Sequence, residues 1–137
     1  MFATIALMAV SCNKNQAAVK KLDGTWKATS INYTEDGVTV DILEAGFITS
    51  ATYVFDGCKL KNDEFCNLTT TFVTSLGTNT STDVYNVIND GVTLQVKDEM
   101  GSTDIWSKTI DELTSTKLVI TELEPGAGST VSTFEKQ

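Results

Sequence analysis

The chain contains no histidine and no arginine among its 137 residues, and a single proline. Each absence excludes a chemistry. Without imidazole there is no Ser-His-Asp triad, no Cys-His dyad and no histidine-liganded zinc or haem. Without guanidinium there is no bidentate clamp for phosphate or carboxylate. Ten lysines face eighteen acids, and the resulting charge of −8 repels nucleic acid and anionic lipid headgroups. No serine lies in a Gly-x-Ser-x-Gly elbow, and no Gly-rich phosphate loop is present. These exclusions point to a binding or scaffold domain rather than an enzyme, with no cofactor, metal or nucleic-acid partner implied.

Strand-forming residues dominate what is present. Thr occurs 22 times, Val 12 and Ile 8, and their restricted χ1 suits a pleated sheet better than a helix. One proline and nine glycines argue against a disordered or collagen-like chain. The length fits one domain that buries its own core.

Residues 2–10 read FATIALMAV, followed by Ser11 and Cys12. The run is too short to span a bilayer, which takes about 20 residues, and matches the apolar core of a signal peptide. Small residues ahead of Cys12 resemble the lipobox of bacterial lipoproteins. That resemblance implies cleavage after residue 11 and acylation of Cys12, with each buried methylene contributing roughly 0.8 kcal/mol to anchoring. The polar stretch 12–20 then reads as the lipidated cysteine and a flexible tether, and 21–137 as the folded domain. The implied address is the bacterial cell envelope, with the protein lipid-anchored to its membrane.

Cys58 and Cys66 flank a polar segment between two β-rich runs. In a hairpin centred on Asn62 they face one another, close enough to bridge as a non-hydrogen-bonded pair. An exported chain favours the disulfide, and two free thiols are the alternative in a reducing compartment.

From residue 20 onward there is no linker, only short strands separated by turn residues: 25–33, 51–56, 65–74, 82–88, 92–96, 103–110, 117–123 and 130–136. The stretch 38–48 is less regular, with a helical turn at 41–44. Asn89-Asp90-Gly91 predicts a type I′ hairpin turn, and Val92, Leu94 and Val96 share one face of the strand that follows. Short connections require antiparallel neighbours. Eight such strands predict an all-β, up-and-down antiparallel barrel that removes its edges by closing. An open sandwich with Greek-key links is the rival, though it needs longer connections.

LDGTWKATSI at 22–31 resembles the Gly-x-Trp opening of lipocalins, in particular the lipocalin-like domains of small Gram-negative lipoproteins. The rhythm of 85–94 and 110–120, and the Phe134-Glu135-Lys136 ending, are similar too. The resemblance implies that Trp26 seals the closed end of the barrel and that Gly24 permits a close bend there. It also implies a basic residue packed over the indole. With no arginine in the chain, Lys136 is the candidate.

Chemistry-bearing motifs are otherwise sparse. The carboxylate pairs Glu35-Asp36, Asp63-Glu64, Asp98-Glu99 and Glu122 with Glu124 mostly sit in turns, where acids are solvated and unperturbed. Asp98, Glu99 and Asp104 offer too few assured oxygens for calcium. Tyr53 and Phe55 share one strand face, Leu68 and Phe72 another, and Leu94 and Val96 a third. Facing inward, these residues line an apolar cavity with Thr70 and Tyr53 as polar anchors, and the 34–49 segment forms a rim or lid. A completely filled interior is the alternative. Trp106 and Ile105 point to opposite faces, and the sequence does not say which is inside.

Two functions follow: carriage of a small apolar or amphipathic molecule in the barrel mouth, as the resemblance implies, or a structural or protein-interaction module in contact with another envelope protein.

Overall fold

In the computed structural model, residues 13–60 and 64–137 are described. The expected signal peptide (1–11), Cys12 and the hairpin tip at Asn62 lie outside them.

Nine strands follow one helix: α1 (Lys14–Leu22), β1 (Gly24–Glu35), β2 (Val38–Asp41), β3 (Ser50–Phe55), β4 (Cys66–Thr74), β5 (Gly77–Ile88), β6 (Thr93–Lys97), β7 (Trp106–Leu113), β8 (Lys117–Glu124) and β9 (Gly128–Lys136). Apart from the detour through β2, each strand pairs antiparallel with its sequence neighbour, and β1 also pairs with β9. That last ladder closes eight strands into a lipocalin-like barrel and excludes the open sandwich. β1 serves three partners: its first residues pair with β3, its last with β2, and Trp26–Thr34 with β9. A register shift between Ala28 and Ser30 bends it, the usual effect of an extra residue in one strand.

Three local expectations are corrected. Residues 77–81, left between the expected strands 65–74 and 82–88, are the start of β5, which pairs with β4 from Tyr85 down to Gly77. Threonine-rich, solvent-facing sequence makes that arm look like loop, whereas cross-strand pairing holds it as sheet. Ile88 pairs with Thr93, so the β5–β6 turn spans four residues rather than two. Asn89, Asp90 and Gly91 all have positive φ. In the irregular stretch, 38–41 is a short strand on β1, followed by one helical turn in which the Ala45 N–H donates to the Asp41 carbonyl at 2.9 Å.

The largest correction is α1, which replaces the expected flexible tether. Nine residues make a marginal helix in isolation, so its stability comes from packing and caps. The Asn13 side chain accepts from the Gln16 N–H, and Lys20 and Lys21 complement the dipole of the last turn. Ala18, Val19 and Leu22, on one face, are buried against the end of the barrel. The Gln16 side chain donates to the Cys58 carbonyl and accepts from the Leu60 N–H, both at 2.8 Å. On the far side, the Gly91 N–H donates to Asn15 Oδ1 at 2.8 Å, and a Cβ on Gly91 would stand 3.2 Å from the Lys14 carbonyl oxygen. With φ at +85° as well, a side chain here would be strained and would push the helix back by a few tenths of an ångström.

The core concentrates at that end. Trp26, Phe55, Tyr85, Phe134, Leu22, Leu94 and Leu118 are among its fully buried side chains. Phe55 and Tyr85 meet edge to face at 5.0 Å, a favoured aromatic geometry. Cys58 and Cys66 are disulfide-bonded, with Cα atoms 5.5 Å apart. Phe55 pairs with Leu68, a register that sets Gly57, not Cys58, across from Cys66. The bridge therefore reaches from just beyond the ladder instead of forming a cross-strand pair.

Candidate functional site

Strand alternation fixes which side chains enter the barrel. On β4 these are Leu68, Thr70 and Phe72, paired across to Asp83, Ser81 and Asn79 of β5. On β6 and β7, Val96 faces Trp106 and Leu94 faces Lys108. On β8 and β9, Leu118 faces Phe134, Ile120 faces Ser132 and Glu122 faces Thr130. The inward set changes along the barrel axis: apolar and close-packed near α1, mixed and loosely packed near the other end.

That other end is open. The larger of two adjoining chambers has a volume of about 340 Å3 and is lined by Tyr53, Leu68, Thr70, Phe72, Leu94 and Val96, with Ser81, Asp83, Trp106, Lys108 and Glu122. The smaller, of about 140 Å3, is bordered by Ile31, Ile48, Ile120, Thr130, Ser132 and Phe134. Tyr53, Phe72, Lys108 and Glu122 belong to both. The larger volume lies in the range of small-molecule sites.

Six of the seven residues named from sequence thus border one space. Phe55 does not: it is fully buried against Tyr85 beneath the cavity floor. Ile48 is the contribution of the 34–49 segment to the wall. Trp106 is the inward member of its pair with Ile105.

Besides the expected anchors Tyr53 and Thr70, the cavity holds an ion pair. Lys108 Nζ lies 2.9 Å from Glu122 Oε2, with both side chains largely shielded. Burial works against the lysine charge, but the carboxylates of Glu122 and Asp83 favour it, and the ammonium is held above its ordinary 10.5. Burial raises the Tyr53 phenol above 10.0, Glu122 and Asp83 add to this, and Lys108 opposes it; the hydroxyl stays protonated. It has no hydrogen-bond partner among the described residues and borders both chambers.

Asp83 receives one long hydrogen bond, from Ser81 Oγ at 3.4 Å, and Ser81 in turn meets Thr70 Oγ1 at 2.7 Å. Burial, then the charge of Asp98, raises the Asp83 carboxyl above 3.8, against Ser81 and Lys108. No lysine lies within 4 Å of it among the described residues.

Sequence signals for this group existed but were faint. Lys108 shares parity with buried Ile110, and Glu122 with buried Leu118 and Ile120. A charge on the apolar face of a strand is a pointer to a site, and Glu122 lies within a strand and not in a turn.

The closed end holds the remaining named residues. Trp26 is fully buried, and its indole N–H donates to the Leu22 carbonyl at 2.7 Å. Lys136 Nζ stands 5.3 Å from the Trp26 ring centroid and donates to the Lys21 carbonyl at 3.1 Å. Gly24 has φ +125°, and a Cβ there would come within 2.9 Å of Lys136 Cε. None of the three borders the cavity. Among the described residues, no three carboxylates or cysteines converge as metal ligands.

No sequence-family model and no curated protein matches the chain. Its fold matches solved structures. The siderocalin Ex-FABP, described as functioning through dual ligand specificities, superposes with a TM-score of 0.59 at 12% identity, over 85% of this chain and 74% of that one. Per a 4, a major allergen from cockroaches, superposes with a TM-score of 0.58 at 15% identity, over 86% and 68%. These neighbours are lipocalin-type barrels, and at such identities the likeness establishes the architecture alone.

Proposed function

We propose that the chain is a carrier that takes a small amphipathic molecule into the open half of its barrel. The observation that carries this reading is the cavity. A wall of Leu68, Phe72, Leu94 and Val96 borders the same space as Tyr53, Asp83, Lys108 and Glu122. Burial of apolar ligand surface supplies affinity at about 25 cal/mol per Å2, and the polar side chains orient the ligand. The siderocalin neighbour, with its dual ligand specificities, supports ligand binding by such a barrel.

The protein is further proposed to be an envelope lipoprotein held through Cys12. The FATIALMAV run and the small residues before the cysteine support this. So does the position of α1, whose cap Asn13 directly follows Cys12 and which packs across the closed end. An anchor at this point leaves the mouth unobstructed.

Native mass spectrometry of the purified chain tests the carrier reading. A small-molecule adduct lost on organic extraction is expected, and repeated preparations with neither an adduct nor uptake of added apolar probes would end it. Replacing Cys12 with Ala should move the protein from the membrane to the soluble fraction; unchanged membrane association refutes the anchor.

One observation favours a second reading, a protein-interaction module. Val38, Phe47, Leu76, Met100, Ile105 and Leu123 are exposed apolar side chains, all on strands and turns at the mouth. A protein seated on this rim would also use them.

A further inference from the structure

The charge of the molecule is unevenly placed. The segments at the mouth (35–49, 75–76, 98–105 and 124–127) carry eight carboxylates and no lysine. Those at the closed end (13–23, 56–65, 89–92 and 114–116) carry four of each among the described residues. The net charge of −8 is therefore a property of the open end. A low-dielectric cavity ringed by one sign of charge concentrates the opposite sign at its entrance.

The interior continues the bias. Glu122 neutralises Lys108 at 2.9 Å, which leaves Asp83 as a surplus carboxylate in the larger chamber. Its one hydrogen bond, 3.4 Å long and from Ser81, leaves most of its acceptor capacity unused. Trp106, 44% exposed, borders the same chamber, and an indole face attracts cations.

Building on the carrier reading, we propose that the cavity selects a cationic amphiphile, its ammonium held between Asp83 and Trp106 and its apolar body against Leu68, Leu94 and Val96. An anionic amphiphile meets repulsion at the rim and a lysine already engaged inside. A neutral one binds through the apolar wall alone.

Three ten-carbon probes separate charge from tail: decyltrimethylammonium, decanol and decanoate. Each displaces the neutral dye N-phenyl-1-naphthylamine from the full chain at pH 7 and low ionic strength, below its micellar concentration. The ammonium should act at a concentration about tenfold below that of decanol, equivalent to roughly 1.4 kcal/mol, and decanoate should be weakest. Asp83→Asn should remove most of the ammonium's advantage over decanol measured on the same variant. In the unaltered chain the same advantage should shrink as pH falls through the Asp83 titration, and as salt rises.

Preference for decanoate, equal displacement by all three, or an ammonium advantage that survives both Asp83→Asn and acid would overturn the cationic assignment and leave the carrier reading intact. Failure of the dye and all three probes to bind would overturn both.

Discussion

At the closed end, Trp26, Phe55, Tyr85 and Phe134 are fully buried beneath a helix, a disulfide and a lysine. At the open end, Tyr53, Phe72 and Trp106 border a cavity that they share with Lys108, Glu122 and Asp83. The two halves use the same eight strands. What differs is the chemistry of the inward positions and what covers them. Packed apolar side chains stabilise one half, whereas the other keeps an empty space and desolvated charges, both of which cost stability. Such a division is expected where a fold reserves part of its interior for something it does not itself supply.

The comparison predicts unequal responses to substitution. Trp26→Ala should have the largest effect, a loss of about 3–5 kcal/mol by urea unfolding, because it empties the closed end and orphans the Leu22 carbonyl. Replacing Cys58 and Cys66 together with Ser should cost about 2–3 kcal/mol, from the entropy of the short loop they close. The same change should speed exchange of the α1 amides, since Gln16 ties the helix to the Cys58 carbonyl and the Leu60 N–H. At the open end, Phe72→Ala should cost only about 1 kcal/mol, because its ring already borders space. A loss at Phe72 as large as at Trp26 would mean that the mouth is packed as tightly as the base.

The smallest effect, and one of opposite sign, is predicted for Asp83→Asn. Burial and Asp98 raise this carboxyl above 3.8 in the folded state, so the folded chain binds its proton more tightly than the unfolded chain. That group's contribution to stability falls as pH rises from the ordinary aspartate value through the raised one. The variant should melt slightly higher than the parent at pH 7 and no higher below pH 3.8, as followed by circular dichroism. A lower melting temperature at pH 7 would show that Asp83 is stabilised there by a partner.

Much of the closed half was legible in the sequence because its rules are local. Alternation, turn residues and short connections predicted the barrel, and Gly24, Trp26 and Lys136 do meet at one end. The helix was not legible: Asn13 to Leu22 is polar and too short to hold as a helix alone, although most of its residues favour one. It becomes a helix because the barrel end offers Ala18, Val19 and Leu22 a surface, and that surface exists only after the strands close. The open half was legible in its apolar wall, since Tyr53, Leu68, Phe72, Leu94 and Val96 follow strand parity. Its polar side chains were not, because Lys108, Glu122 and Asp83 acquire meaning only when three strands distant in sequence bring them to one space. The cysteine register failed for a related reason: the strand ladder, not the symmetry of the loop, fixes which residues face each other.

A titration with N-phenyl-1-naphthylamine read through the two tryptophans tests the open cavity most directly. Trp106 borders the larger chamber and Trp26 is fully buried at the far end. The account predicts saturation at one dye per chain, quenching of the Trp106 emission and an unchanged Trp26 component, with the quenching absent in Trp106→Phe. Binding that never saturates, or a parallel change in both indoles, would contradict a preformed cavity at one end of the barrel.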